Sequence, residues 1–267
     1  MPHHRTMRAN PLVTEVLIGL NRPGKAQLDY LGLLLLQALV VFLWWPKDGI
    51  AQALQSQHTP RTLVALVMAV GVTTAYFALR AGAEEIALPG QRGLREWARA
   101  PLPAGSILSG YIVGQLVHSL HLVALSSPLL LTAFTVSGGE WTALGWCLAA
   151  VLAQALFYRL CGAITHLILG QHRGVVTGTI RTIMVVVYVP VGLFAPVTSH
   201  LALAYRTLGE DVPPPPAIAA MPDGLAFVLI YAGLSAAAAL AVHRLLLRER
   251  GVANNSDGTG IGKAFTG

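Results

Sequence analysis

Charge is what this chain has least of. Asp, Glu, Lys and Arg make up 11% of its 267 residues, against about 25% in an ordinary soluble domain. Mean hydropathy is +0.61. So little charge cannot clothe a water-exposed surface, and the chain reads as an all-α integral membrane protein with no nucleic-acid partner. Cysteine is nearly absent too. Cys147 and Cys161 stand 14 residues apart on one predicted helix, about 21 Å along its axis, too far to pair. No metal-type cysteine spacing occurs.

Other absences exclude chemistry. The apolar runs hold almost no carboxylates: Asp29 lies at the start of the first, and Glu140 and Asp223 lie at the edges of others. No HExxH occurs, and Ser126 and Ser127 have no ordered Asp–His partner that spacing reveals, so no catalytic constellation is found. The C-terminal stretch GTGIGKAFTG falls short of a phosphate-binding loop. Asp257 stands where a glycine is required, and Ala264 follows Lys263 in place of Ser or Thr. No cofactor is therefore expected on this chain. The first 27 residues lack a clean apolar stretch with a small-residue cleavage site, so no cleaved signal is expected. The ten-residue alternation of a transmembrane β-barrel is also missing.

What the sequence does hold is long apolar runs. A hydrocarbon core of about 30 Å needs about 20 apolar residues per helix, and six runs meet that need: 28–45, 62–79, 107–134, 141–169, 175–196 and 225–247. Gly71, Pro128, Gly145, Pro190 and Gly233 fall inside them, which spanning helices tolerate. Residues 28–247 thus form the membrane domain, preceded by a segment over 1–27 and followed by a flexible polar tail over 248–267. Most Lys and Arg fall before the first run, between the second and third, between the fourth and fifth, and after the sixth. Lys47, Arg61 and Arg206 fall on the other side. The positive-inside rule then places both termini in the cytoplasm of a cell bounded by this inner or plasma membrane.

On that topology the connection over 80–106 is the longest cytoplasmic loop. Glu84, Glu85, Arg92, Arg95, Glu96 and Arg99 alternate there with Ile86, Leu88, Leu94 and Trp97, and Pro89-Gly90 breaks the segment in two. Leu94, Trp97 and Ala98 share one helical face, with Arg95, Glu96 and Arg99 on the other. Such a helix lies at the membrane boundary with its charges toward the cytosol. Near the N-terminus, Asn10 can cap a helix, Pro11 suits its first position, and Asn21-Arg22-Pro23-Gly24 stops it.

The stretch EEIALPGQRGLREWARAPLPAGSILSGYIVGQL resembles the connection between the second and third spans of ABC-2 type exporter permeases. NPLVTEVLIGLNRPGKAQL is similar to that family's membrane-surface helix ahead of the first span. The resemblance implies six spans, a homodimer or a pair with a homologue, and two copies of a separate ATPase that carry ATP and Mg. It also implies that the loop contains a coupling helix seated in the ATPase, with a second contact from the turn GQHRGV. Glu84, Glu85, Arg92, Arg95, Glu96, Trp97, Arg99, Gln171, His172 and Arg173 become interface candidates. Pro89-Gly90 departs from the family pattern and leaves open whether the coupling helix begins before or after it. The outer connection over 197–224 corresponds to the family's exit-shaping region, with a short helix expected over 199–208 ahead of a stiff polyproline stretch.

Two polar features inside the spans remain. Arg159, with Gln154 and Tyr158 near it, must snorkel, pair or line a wet cavity, because an unpaired guanidinium in hydrocarbon costs several kcal/mol. Arg181 has the same readings, and the four residues form a candidate pathway lining. His118 and His121 share one helical face and His166 lies on the next span, which keeps a haem-handling or respiratory membrane subunit as the alternative.

Overall fold

Inside hydrocarbon the backbone has no water to bond, so an uncharged run closes its own hydrogen bonds as a helix. The computed structural model describes residues 10–20, 25–45, 61–83, 94–137, 140–169, 173–184, 199–208 and 223–261. Every regular element among them is helical: α1 (Pro11–Leu20), α2 (Lys25–Leu43), α3 (Arg61–Ala83), α4 (Leu94–Arg99), α5 (Ala104–Ser137), α6 (Trp141–Leu169), α7 (Arg173–Thr182), α8 (His200–Leu208) and α9 (Asp223–Ile261). Four segments, Thr62–Ala83, Ala104–Ser137, Trp141–Leu169 and Gly224–Gly251, are long and apolar enough to cross a bilayer. The chain is a helical membrane protein.

The remaining two expected spans are not borne out as full spans among the described residues. The first run forms α2, whose apolar part Tyr30–Leu43 is shorter than a full span. The run over 175–196 begins as α7, and residues 185–196 lie outside the described residues. The final helix departs from expectation. Residues 248–261, read as part of a flexible tail, continue α9 to Ile261; Arg248, Glu249 and Arg250 favour the continuation and no proline stops it, but local propensity does not explain the helix through Gly251, Asn254, Asn255, Asp257 and Gly258.

Local chemistry keeps α5 continuous through its proline. Pro128 has no N–H to give the carbonyl of Ala124, and the Ser127 hydroxyl donates to that carbonyl instead at 2.7 Å. At the other end of the chain, Asn10 Oδ1 accepts from Leu12 N at 3.1 Å, which is the helix cap its sequence promised. Its Nδ2 donates to Ser106 O at 2.8 Å, fastening α1 to the start of α5. Gly110 leaves room for this amide, since a Cβ there would lie 2.6 Å from Asn10 Nδ2.

The centre of the bundle is α3 beside α6. They run in the same direction: residues 63–70 of α3 share a core with Leu144, Cys147 and Val151, and Ala75, Ala78 and Leu79 share one with Ala155 and Tyr158. Their closest approach is at Gly82 and Gly162. A Cβ on Gly82 would strike Arg159 O and lie 3.0 Å from Gly162 Cα; one on Gly162 would strike Leu79 O and lie 2.8 Å from Ala83 N. Lipid supplies no hydrophobic drive between helices, so this backbone contact and its dispersion energy hold the pair. The His166 ring spans the same seam, with Nδ1 3.2 Å from Ala83 O. Further along, α8 lies against α3, where the His200 ring fills the space left by Gly71 and its Nε2 lies 3.2 Å from Met68 O.

On the periphery, Leu28, Leu31, Leu35, Leu39 and Phe42 of α2 are exposed while Leu33, Gln37 and Val41 are buried. The buried set recurs every four residues, which turns one stripe inward and leaves an apolar face toward lipid.

Candidate functional site

Six residues, LREWAR, build α4. Leu94, Trp97 and Ala98 are buried, and Glu96 and Arg99 point outward. Trp97, a candidate for contact with a partner, is only 6% exposed. Its indole is instead the foot of α4, in one apolar cluster with Leu12, Ile107, Tyr111, Leu160, Val242 and Leu246. The helix begins at Leu94, on the far side of Pro89-Gly90, and Pro101 ends it by forcing Ala100 out of the helical region.

The end of α4 leaves carbonyls without helical donors. Arg250 of α9 supplies them: its Nε donates to Ala98 O at 2.9 Å, and its Nη2 donates to Ala100 O at 3.5 Å and to Leu102 O. One guanidinium, with its fixed fork of donors, thus ties the Pro-Leu-Pro turn to the last long helix. Sequence reading counted Arg250 only as topological charge.

Deeper in the bundle, the guanidinium of Arg159 lies over the Tyr111 ring, 4.9 Å from its centroid. Its Nε is buried and has no hydrogen-bond partner among the described residues. His118 lies two turns from Tyr111 on the same face of α5, with His121 one turn further on. Tyr30 of α2 closes the far side, its ring centroid 6.5 Å from that of His118 and 5.3 Å from that of His121. On α5, Gln115 donates to Ser119 at 2.7 Å and leaves its own carbonyl unpaired.

Gln154 and Tyr158, grouped with Arg159 by sequence, lie on another face of α6. They meet α9, where the Gln154 amide reaches the hydroxyls of Tyr158 and Tyr231. Phe157 packs edge-on to Tyr231 at 5.7 Å, and Phe227 stacks on it at 4.6 Å. The histidines do not converge as an axial pair requires: His118 and His121 flank Tyr30 while His166 bonds across the α3–α6 seam. Among the described residues no group of three or more His, Cys, Asp or Glu could hold a metal. Glu84, Glu85, Arg92, Gln171 and His172 lie outside the described residues, and Arg95, Arg173 and Arg181 lie on helices whose side chains at those positions are also outside them.

Tyr30, Tyr111 and Tyr231 went unremarked in the sequence. For Tyr111 a signal existed, since Tyr111, Gln115, His118, Ser119 and Ser126 form one polar line along an otherwise apolar helix. Comparison with known proteins yields no matching family model, no matching curated protein and no matching solved structure.

Proposed function

We propose that the chain is the permease subunit of an exporter, with six spans and both termini cytoplasmic, driven by a separate ATPase that docks on α4. In this reading α2 and the segment begun by α7 are the first and fifth spans, and a second copy or a homologue completes the pathway. One observation carries the proposal: α4 presents Glu96 and Arg99 outward while its buried face shares a cluster with residues of α1, α5, α6 and α9. A push on its charged face is therefore passed to four other helices by close-packed side chains, which transmit strain because they cannot compress. Tyr111, which supports Arg159, belongs to the same cluster, so the motion reaches the polar seam between α5 and α6. ATP and Mg belong to the partner, and the polar seam beside Arg159 is part of the transported group's route.

Affinity purification from native membranes tests this. A soluble ATPase with a phosphate-binding loop, recovered in equal amount, is the expected result. Recovery of membrane cytochrome subunits and no ATPase would replace the proposal with the haem-handling alternative.

A further inference from the structure

Among the described residues no carboxylate pairs with the guanidinium of Arg159. The Tyr111 ring below it uses none of its five donors, and the buried Nε has no acceptor. An unpaired guanidinium at such a position is costly, and a residue of this kind faces a bundle interior, a wet cavity or a ligand.

The face of α5 that meets Arg159 is polar. At 100° per residue, the lipid-facing stripe of α5 runs through Ser109, Val113, Leu116 and Leu120, all exposed. His118 lies on the opposite side with buried Tyr111 and Leu122, two turns along the face that meets Arg159, and is mostly buried beside Tyr30.

The geometry points to an anion site: the polar seam between α5 and α6 takes a phosphate or carboxylate group on the guanidinium of Arg159, with His118 as a second donor and Tyr111 fixing the plane of the fork. Two sources share this chemistry, the headgroup of an anionic lipid and a soluble anion. The site deepens the exporter reading by giving its cargo an anionic end, and rests on that reading only for the cargo role. Binding is a property of the chain alone.

The test uses the full chain, purified without any ATPase. Native mass spectrometry during titration with phosphatidylglycerol and with phosphatidylcholine reads the lipid arm. The wild type is expected to retain one phosphatidylglycerol in preference to phosphatidylcholine, with Arg159→Gln binding it about 10- to 100-fold more weakly, as loss of a charge-assisted hydrogen bond implies. His118→Gln should weaken it by a smaller factor, and Arg206→Gln should leave it unchanged. The second arm adds inorganic phosphate to protein in phosphatidylcholine nanodiscs. A rise in unfolding midpoint that Arg159→Gln abolishes identifies a soluble anion as the source. Arg159→Lys, which keeps the charge and loses the fork, and His118→Gln keep the test decisive if Arg159→Gln does not fold. Equal binding of both lipids together with no response to phosphate would overturn the proposal, as would anion binding that all substitutions at 159 leave intact. Failure here with an ATPase still co-purifying would leave the exporter reading standing; anion binding with no ATPase recovered would do the reverse.

Discussion

The helix α6 meets different neighbours on two sides, and their chemistry is opposite. Toward α3, Gly82 and Gly162 bring backbones into contact with no space for a methyl group. Toward α5, a short distance along the same helix, Arg159 lies on Tyr111 with an Nε that finds no acceptor among the described residues, and His118 lies on the same polar face. Glycine contacts of the first kind have one arrangement, because any sideways shift loses many close contacts at once. Polar groups of the second kind are incompletely satisfied and can exchange partners, including water or a ligand. The first side fixes α6 and the second holds the proposed anion site, so a close-packed seam and a polar one sit side by side on a single helix.

The sharpest way to break this contrast is to fill the seam. Gly162→Ala places a methyl group against Leu79 O, and overpacking of this kind costs about 1–3 kcal/mol, with Gly162→Leu expected to prevent a stable fold. Thermal unfolding in detergent measures both. Gly233→Ala is the control: a Cβ there meets nothing within 4 Å, and the better helix propensity should leave stability unchanged or raise it by up to about 1 kcal/mol. Equal destabilisation at 162 and 233 would remove the seam from the argument.

Next in size is the foot of the polar side. Trp97→Ala empties a site in the cluster that contains Tyr111, with a cost of about 3–5 kcal/mol if the indole is fully lost from a packed core. Because α4 is a short element at the bundle's edge, that loss should appear as local opening. Faster hydrogen exchange over 94–102 with the long helices unchanged is the expected pattern. Arg250→Ala should open the same segment by a smaller amount, about 1–3 kcal/mol for the carbonyls left without a donor. Exchange confined to α9 would show that Arg250 does not hold α4.

A subtler probe separates the ring of Tyr111 from its hydroxyl. Tyr111→Phe keeps the surface under Arg159 and loses the long hydrogen bond from its hydroxyl to Arg159 O at 3.5 Å, with a cost of about 0.5–1 kcal/mol expected. Tyr111→Leu removes the cation–π contact, worth about 0.5–2 kcal/mol, and both are read by the same unfolding assay. The smallest effect on the fold is expected at Arg99→Glu, an exposed position where substitutions stay within about 0.5 kcal/mol. Its effect should fall on ATPase association instead, and weaken as salt rises. Unaltered co-purification of the ATPase by Arg99→Glu and Glu96→Lys together would take α4 out of the coupling role.

Apolar run length, proline position and amphipathic spacing are local properties, and the sequence by itself determined what depends on them: helices throughout the described residues, their placement in a membrane, the Asn10 cap, and the inward and outward faces of LREWAR. It misplaced the end of α9, since the glycines and short polar residues after Arg250 favour a loop by local propensity, yet the helix runs on to Ile261. Only the tertiary structure decided which glycines matter. Gly82 and Gly162 are structural while Gly145 and Gly233 meet nothing, yet all lie in apolar helices and look alike in the chain. The same holds for Arg159 over Tyr111, 48 residues away, and for Arg250 on the carbonyl of Ala98, 152 residues away. These contacts depend on how separately formed helices pack, and nothing in the pattern along one helix specifies which face of another it will meet.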